Sequence, residues 1–90
     1  MIEAIHIIVH GRVQGVWFRA GAKERADELG LFGWVKNQPE GTVEIHAEGK
    51  KLRLENFFSW CRKGTPAANV TSLNLNQTSL QNFTSFEIRS

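Results

Sequence analysis

Ninety residues with 11 basic and 9 acidic side chains, a net charge of +2, make one small domain over residues 1–90, able to bury a single layer of helices on a single sheet. The charges are interspersed, a field too weak and even to imply nucleic acid or an acidic membrane. One cysteine, Cys61, excludes an internal disulfide and offers no second thiol to a metal, so a reducing cytoplasm is the expected compartment and nothing obliges more than a monomer.

The first apolar run, "IHIIVH", is far short of a membrane span or a signal-peptide core and reads as a strand. From Glu3 to His10 it alternates, with Ile5, Ile7 and Val9 on one face and His6, Ile8 and His10 on the other. A turn from Gly11 to Gly15 follows. From about Val16 the spacing becomes helical: Phe18, Ala22, Ala26 and Leu29 form the apolar stripe, Lys23, Glu24, Arg25, Asp27 and Glu28 the wet side, and Gly30 the C-terminal cap. Gly21 weakens this helix by about 1 kcal/mol relative to alanine.

"LFGWVKN" is a second strand, "QPEG" a turn, and "TVEIHAEG" a third strand paired antiparallel to the second. In that third strand Val43, Ile45 and Ala47 face inward, and Thr42, Glu44, His46 and Glu48 face water. Leu54, Phe57, Phe58 and Cys61 mark a second amphipathic helix, stopped by Gly64 with Pro66 beyond. "VTSLNLNQ" and "FTSFEIRS" are two more strands, separated by the polar loop "TSLQN". This order predicts a ferredoxin-like split βαβ sandwich of the α+β class, with two helices on one face of an antiparallel four- to five-stranded sheet and the other face partly open.

"GRVQGVWFR", Gly11 to Arg19, is the stretch that points to chemistry. Glycines at 11 and 15 permit positive φ, which lets successive N–H groups turn inward around an anion where a helix begins. Arg19 then falls in the first helical turn, an unfavourable place for a cation unless an anion lies beside it. The stretch lacks the Gly-Lys-Ser/Thr ending of a P-loop and the third glycine of a dinucleotide fingerprint. On spacing alone, an ordinary strand-to-helix turn with a surface arginine is as good a reading.

"GWVKNQPEGTVEIHAEG", Gly33 to Gly49, breaks the tie. With "GRVQGVWFR" it closely resembles the two signatures of the acylphosphatase family: Gly-x-Val-Gln-Gly-Val-x-Phe-Arg, then Gly-aromatic-Val-Lys-Asn, three residues, Gly-x-Val, five residues, Gly. The stretch "FFSWCRKGTPAANV" and the ending "FEIR" are also similar to that family. The resemblance implies a hydrolase that splits small-molecule acyl phosphates into a carboxylate and inorganic phosphate, with no cofactor and no metal. It implies a phosphate cradle at Arg12, Val13, Gln14, Gly15, Val16, Trp17 and Phe18, a phosphate-gripping Arg19, and an Asn37 that positions the attacking water. Gln38 stands where many members have threonine, Asn69 where they commonly have arginine, and Ser90 where they close on tyrosine.

The chemistry is consistent with this inventory. An acyl phosphate leaves as a carboxylate whose conjugate acid has a pKa of ~4, so no general acid is required. Catalysis then reduces to holding the phosphoryl group in line with water and neutralising its oxygens. Asn37 is no base, but its amide oxygen can orient water while the substrate phosphate takes the proton.

Other residues are assigned bland roles. His6, His10 and His46 decorate the open sheet face rather than hold a metal, and Cys61 is a buried hydrophobe. Trp17, Trp34, Phe57, Phe58 and Trp60 are core or half-core filler, with Trp34 placed to border the acyl part of a substrate. Two other functions fit the fold. A non-catalytic phosphate sensor would not need Asn37, and an RNA-binding module would need aromatics that the first and third strands lack.

Overall fold

The alternation of Ile5, Ile7 and Val9 produces a strand sealed on one face, and in the computed structural model, which describes residues 1–90, that strand is β1 (Ile2–Arg12). It is followed by α1 (Phe18–Glu28), β2 (Phe32–Asn37), β3 (Val43–Lys50), α2 (Lys51–Lys63), β4 (Asn69–Thr78) and β5 (Phe86–Arg89). The strands lie in the order β4-β1-β3-β2-β5, and both helices pack on one face. Ile5, Ile7 and Val9 from β1, Val35 from β2, and Val43, Ile45 and Ala47 from β3 meet Phe18, Ala22 and Ala26 of α1 and Leu54, Phe57 and Cys61 of α2 in one core.

The sheet is mixed rather than wholly antiparallel. β2 pairs antiparallel with β3 as expected, whereas β5 pairs parallel with β2, bringing Val35 opposite Ile88. The cause is a crossing: β4 and β5 occupy opposite edges, so residues 79–85 traverse the sheet. Four inter-strand gaps amount to ~19 Å, within reach of that short extended segment.

The crossing covers part of the face expected to be open. His46 and Glu48, assigned to water by alternation, are each only 2% exposed. Glu48 accepts hydrogen bonds from His46 Nε2 at 2.7 Å and from the main-chain N–H groups of Gln81 at 2.6 Å and Phe83 at 3.1 Å. Burial alone would raise the Glu48 pKa, but these donors hold the carboxyl below its ordinary value. His46 also stacks on Trp34, so Trp34 belongs to this face. His6 and His10 stay half-buried, paired with Glu44 and Asn74.

Two glycines carry packing constraints beyond those expected. Gly11 lies within β1 beside a bulge, and a Cβ there would sit 2.1 Å from the Asn69 carbonyl oxygen, so it serves the close approach of β1 to β4. Gly21 is where α1 meets α2: a Cβ would lie 2.9 Å from the Trp60 ring and 3.0 Å from the Thr65 methyl.

Candidate active site

The chain leaves β1 at Arg12 and enters α1 at Phe18, and the intervening loop carries the conformation that an anion cradle needs. Gly15 has φ 73° and Trp17 has φ 66°, with Val16 between them at negative φ. Such alternation of sign turns successive N–H groups toward one point. Nothing lies within 4 Å of a Cβ built on Gly15, so glycine is favoured there by backbone angle and not by space.

Trp17 is also the residue before the first helical turn, and its side chain makes no cap. The first intrahelical bond is from Gly21 N–H to the Trp17 carbonyl, so the N–H groups of Phe18, Arg19 and Ala20 have no intrahelical acceptor. No acidic residue lies in that turn, and the ion pairs of α1, Lys23–Asp27 and Arg25–Glu28, leave Arg19 free. Unsatisfied donors and a free guanidinium thus share one end of one helix.

These groups border a cavity of about 330 Å³, whose wall also includes Val13, Asn37 and Ile88. Asn37 ends β2 and shares the helix-side parity of Val35. Its Oδ1 is buried and has no hydrogen-bond partner in the protein. A buried amide oxygen without a donor costs about 1–3 kcal/mol, which marks the position as one kept for something other than stability. Gln38 does not relieve it, because its own amide turns to Glu44.

The loop is braced on two sides. Gln14 Nε2 donates to the carbonyl oxygens of Gln38 at 2.8 Å and Thr42 at 2.9 Å, linking the loop to the β2–β3 turn beside Asn37. Thr65 Oγ1, just past α2, donates to the Val16 carbonyl at 2.6 Å. Beneath, Val13, Val16 and Phe18 are buried, and the Phe18 ring lies 5.2 Å from that of Trp60.

Of the residues singled out in sequence, the fold gathers Val13, Gly15, Trp17, Phe18, Arg19 and Asn37 around one cavity. Val16 points into the core and Gln14 to the neighbouring turn, while Arg12 lies exposed in β1, outside the cavity wall. Trp34 stays on the opposite sheet face and does not border the cavity, and Trp17, classed as filler, is 80% exposed. Ile88 and Thr65 were not anticipated. Neither carries a local signal, since each reaches the site only through the path of the chain.

Cys61 is fully buried in α2, outside the cavity wall, and burial pushes its thiol pKa up, as for a core side chain. No three His, Cys, Asp or Glu side chains gather as a metal site requires. No helix is long and apolar enough to cross a membrane.

Comparison with known proteins identifies the family. The acylphosphatase family model matches residues 5–88. An acylphosphatase of Methylococcus capsulatus is 46% identical over 88 residues, covering 97% of this chain and 96% of that protein. The crystal structure of acylphosphatase from Bacillus subtilis superposes with a TM-score of 0.95 at 41% identity over the full length of both chains. An acylphosphatase structure from Coxiella burnetii gives a TM-score of 0.95 at 36% identity, covering 98% of this chain and 93% of that one. With its family model, its relatives and its fold in agreement, the chain belongs to the acylphosphatase family.

Proposed function

We propose that this chain hydrolyses acyl phosphates to a carboxylate and inorganic phosphate, with Arg19 and Asn37 as its catalytic residues. The observation that carries the assignment is the partnerless buried Oδ1 of Asn37 on the wall of a cavity shared with Arg19 and the positive-φ loop. The main-chain N–H groups from Val13 to Phe18 cradle the phosphoryl oxygens. The Arg19 fork pairs with two of those oxygens and compensates the charge that builds on them. Asn37 Oδ1 accepts a hydrogen bond from water, which fixes the lone pair toward phosphorus.

The carboxylate leaves unprotonated, and the phosphate itself takes the proton from water. No protein group titrates in this scheme, so turnover is expected to be nearly flat from pH ~5 to ~8. A bell that vanishes on replacing one histidine would refute it. Arg12 lies outside the cavity wall, so the cradle is assigned to Val13–Phe18 alone.

The chain acts as one domain, residues 1–90, on a small molecule, as a monomer in a reducing cytoplasm, where the single Cys61 stays a thiol. The direct test is hydrolysis of benzoyl phosphate in chelator-containing buffer by the wild type, Arg19→Ala and Asn37→Ala. Turnover lost in both variants supports the assignment. A folded wild type that binds phosphate without turnover would make it a sensor.

A further inference from the structure

Trp17 occupies one of the two variable positions of the "GRVQGVWFR" pattern, and nothing in the cradle's main-chain chemistry calls for an aromatic there. Tryptophan is a poor choice for a left-handed residue, at a cost of order 1–3 kcal/mol. Its ring makes no aromatic stack within the protein and is 80% exposed. Ile88, on β5, is 44% exposed and borders the same cavity. Two of the chain's eight large exposed hydrophobic side chains thus border one cavity, whose wall also includes Ala20.

We propose that Trp17 and Ile88 form an apolar wall for the acyl group, making aromatic and bulky aliphatic acyl phosphates the preferred substrates over acetyl phosphate. This rests on the acylphosphatase reading. In-line displacement expels the carboxylate from the side of phosphorus opposite the water, so the acyl group projects from the cradle toward the mouth. A cavity of about 330 Å³ exceeds what a phosphoryl group fills and matches a small organic ligand. The occupant is part of the substrate itself, because the apolar mouth is continuous with the donors that hold its phosphate.

The test compares kcat/KM for benzoyl and acetyl phosphate in the wild type, Trp17→Asn and Trp17→Phe. Asparagine tolerates the left-handed backbone, so the loop keeps its path. Taking the benzoyl-to-acetyl ratio across variants cancels the intrinsic reactivities of the two anhydrides. The ratio is expected to fall about tenfold in Trp17→Asn, chiefly through the KM for benzoyl phosphate, and to stay within about threefold of wild type in Trp17→Phe. Ile88→Ser should lower it a few-fold. An unchanged ratio, or an equal loss on both substrates, overturns the apolar wall and leaves the acylphosphatase reading standing. A folded wild type that hydrolyses neither substrate overturns both.

Discussion

Glu48→Gln isolates what the buried carboxylate contributes. Oε2 accepts from His46 Nε2 and Gln81 N–H, and Oε1 accepts from Phe83 N–H. A glutamine that keeps its oxygen at the Oε2 position must aim its NH₂ at the Phe83 N–H, so at least one bond is lost and becomes a donor–donor clash. A hydrogen bond to a charged group contributes ~1.5–3 kcal/mol. The two surviving bonds weaken as the charge disappears, while the burial cost of that charge is relieved, so we take the net loss as about 2 kcal/mol. For a domain of this size that corresponds to a fall in Tm of roughly 10 °C.

The pH dependence has a definite sign. The folded-state pKa of Glu48 lies below its reference value of 4.5, so its contribution is complete above that value and is lost as pH falls through the folded pKa. The gap in stability between wild type and Glu48→Gln should therefore be widest near neutrality and close in acid. Urea unfolding of both proteins from pH 7 to pH 3 measures it, since the other carboxylates titrate alike in both. A gap that is absent at pH 7, or constant throughout, would refute the reasoning.

Gln14→Met removes the two hydrogen bonds between the loop and the turn beside Asn37. Both carbonyls keep one other donor, Gly41 N–H on Gln38 and Gln38 N–H on Thr42, so stability should drop by only about 2 kcal/mol. Activity should suffer more, with kcat down at least ~10-fold and partly restored in Gln14→Lys, which again donates; unchanged kcat would remove Gln14 from this role. Arg19→Lys should cost roughly 100-fold in kcat/KM, because a point charge cannot replace the planar fork, and near-native turnover would argue against Arg19 at the phosphate. Gly21→Ala gains about 1 kcal/mol in helix propensity but presses a methyl into Trp60 and Thr65, at a cost of ~1–3 kcal/mol. Its Tm is expected to fall, and a rise in calorimetry would show that α2 yields freely.

Much of this protein is legible locally. Period-two alternation in Ile5–Val9 and Val43–Ala47, and helical spacing in Phe18–Ala26 and Leu54–Cys61, identify the strands and helices and their buried faces, because an apolar face must leave water whatever lies against it. The loop of "GRVQGVWFR" and the strand end in "GWVKN" could also be read locally, since backbone angles at Gly15 and the start of α1 depend on neighbouring residues, whereas the phosphate-cradle reading came from the family resemblance. The tertiary structure decided the rest. Alternation records which side of a strand is apolar but not what crosses the other side, so the burial of His46 and Glu48 beneath residues 79–85 has no local signature. That same crossing makes β5 parallel to β2 and delivers Ile88 to the cavity, and it depends on contacts between residues distant in the chain, where periodicity carries no information.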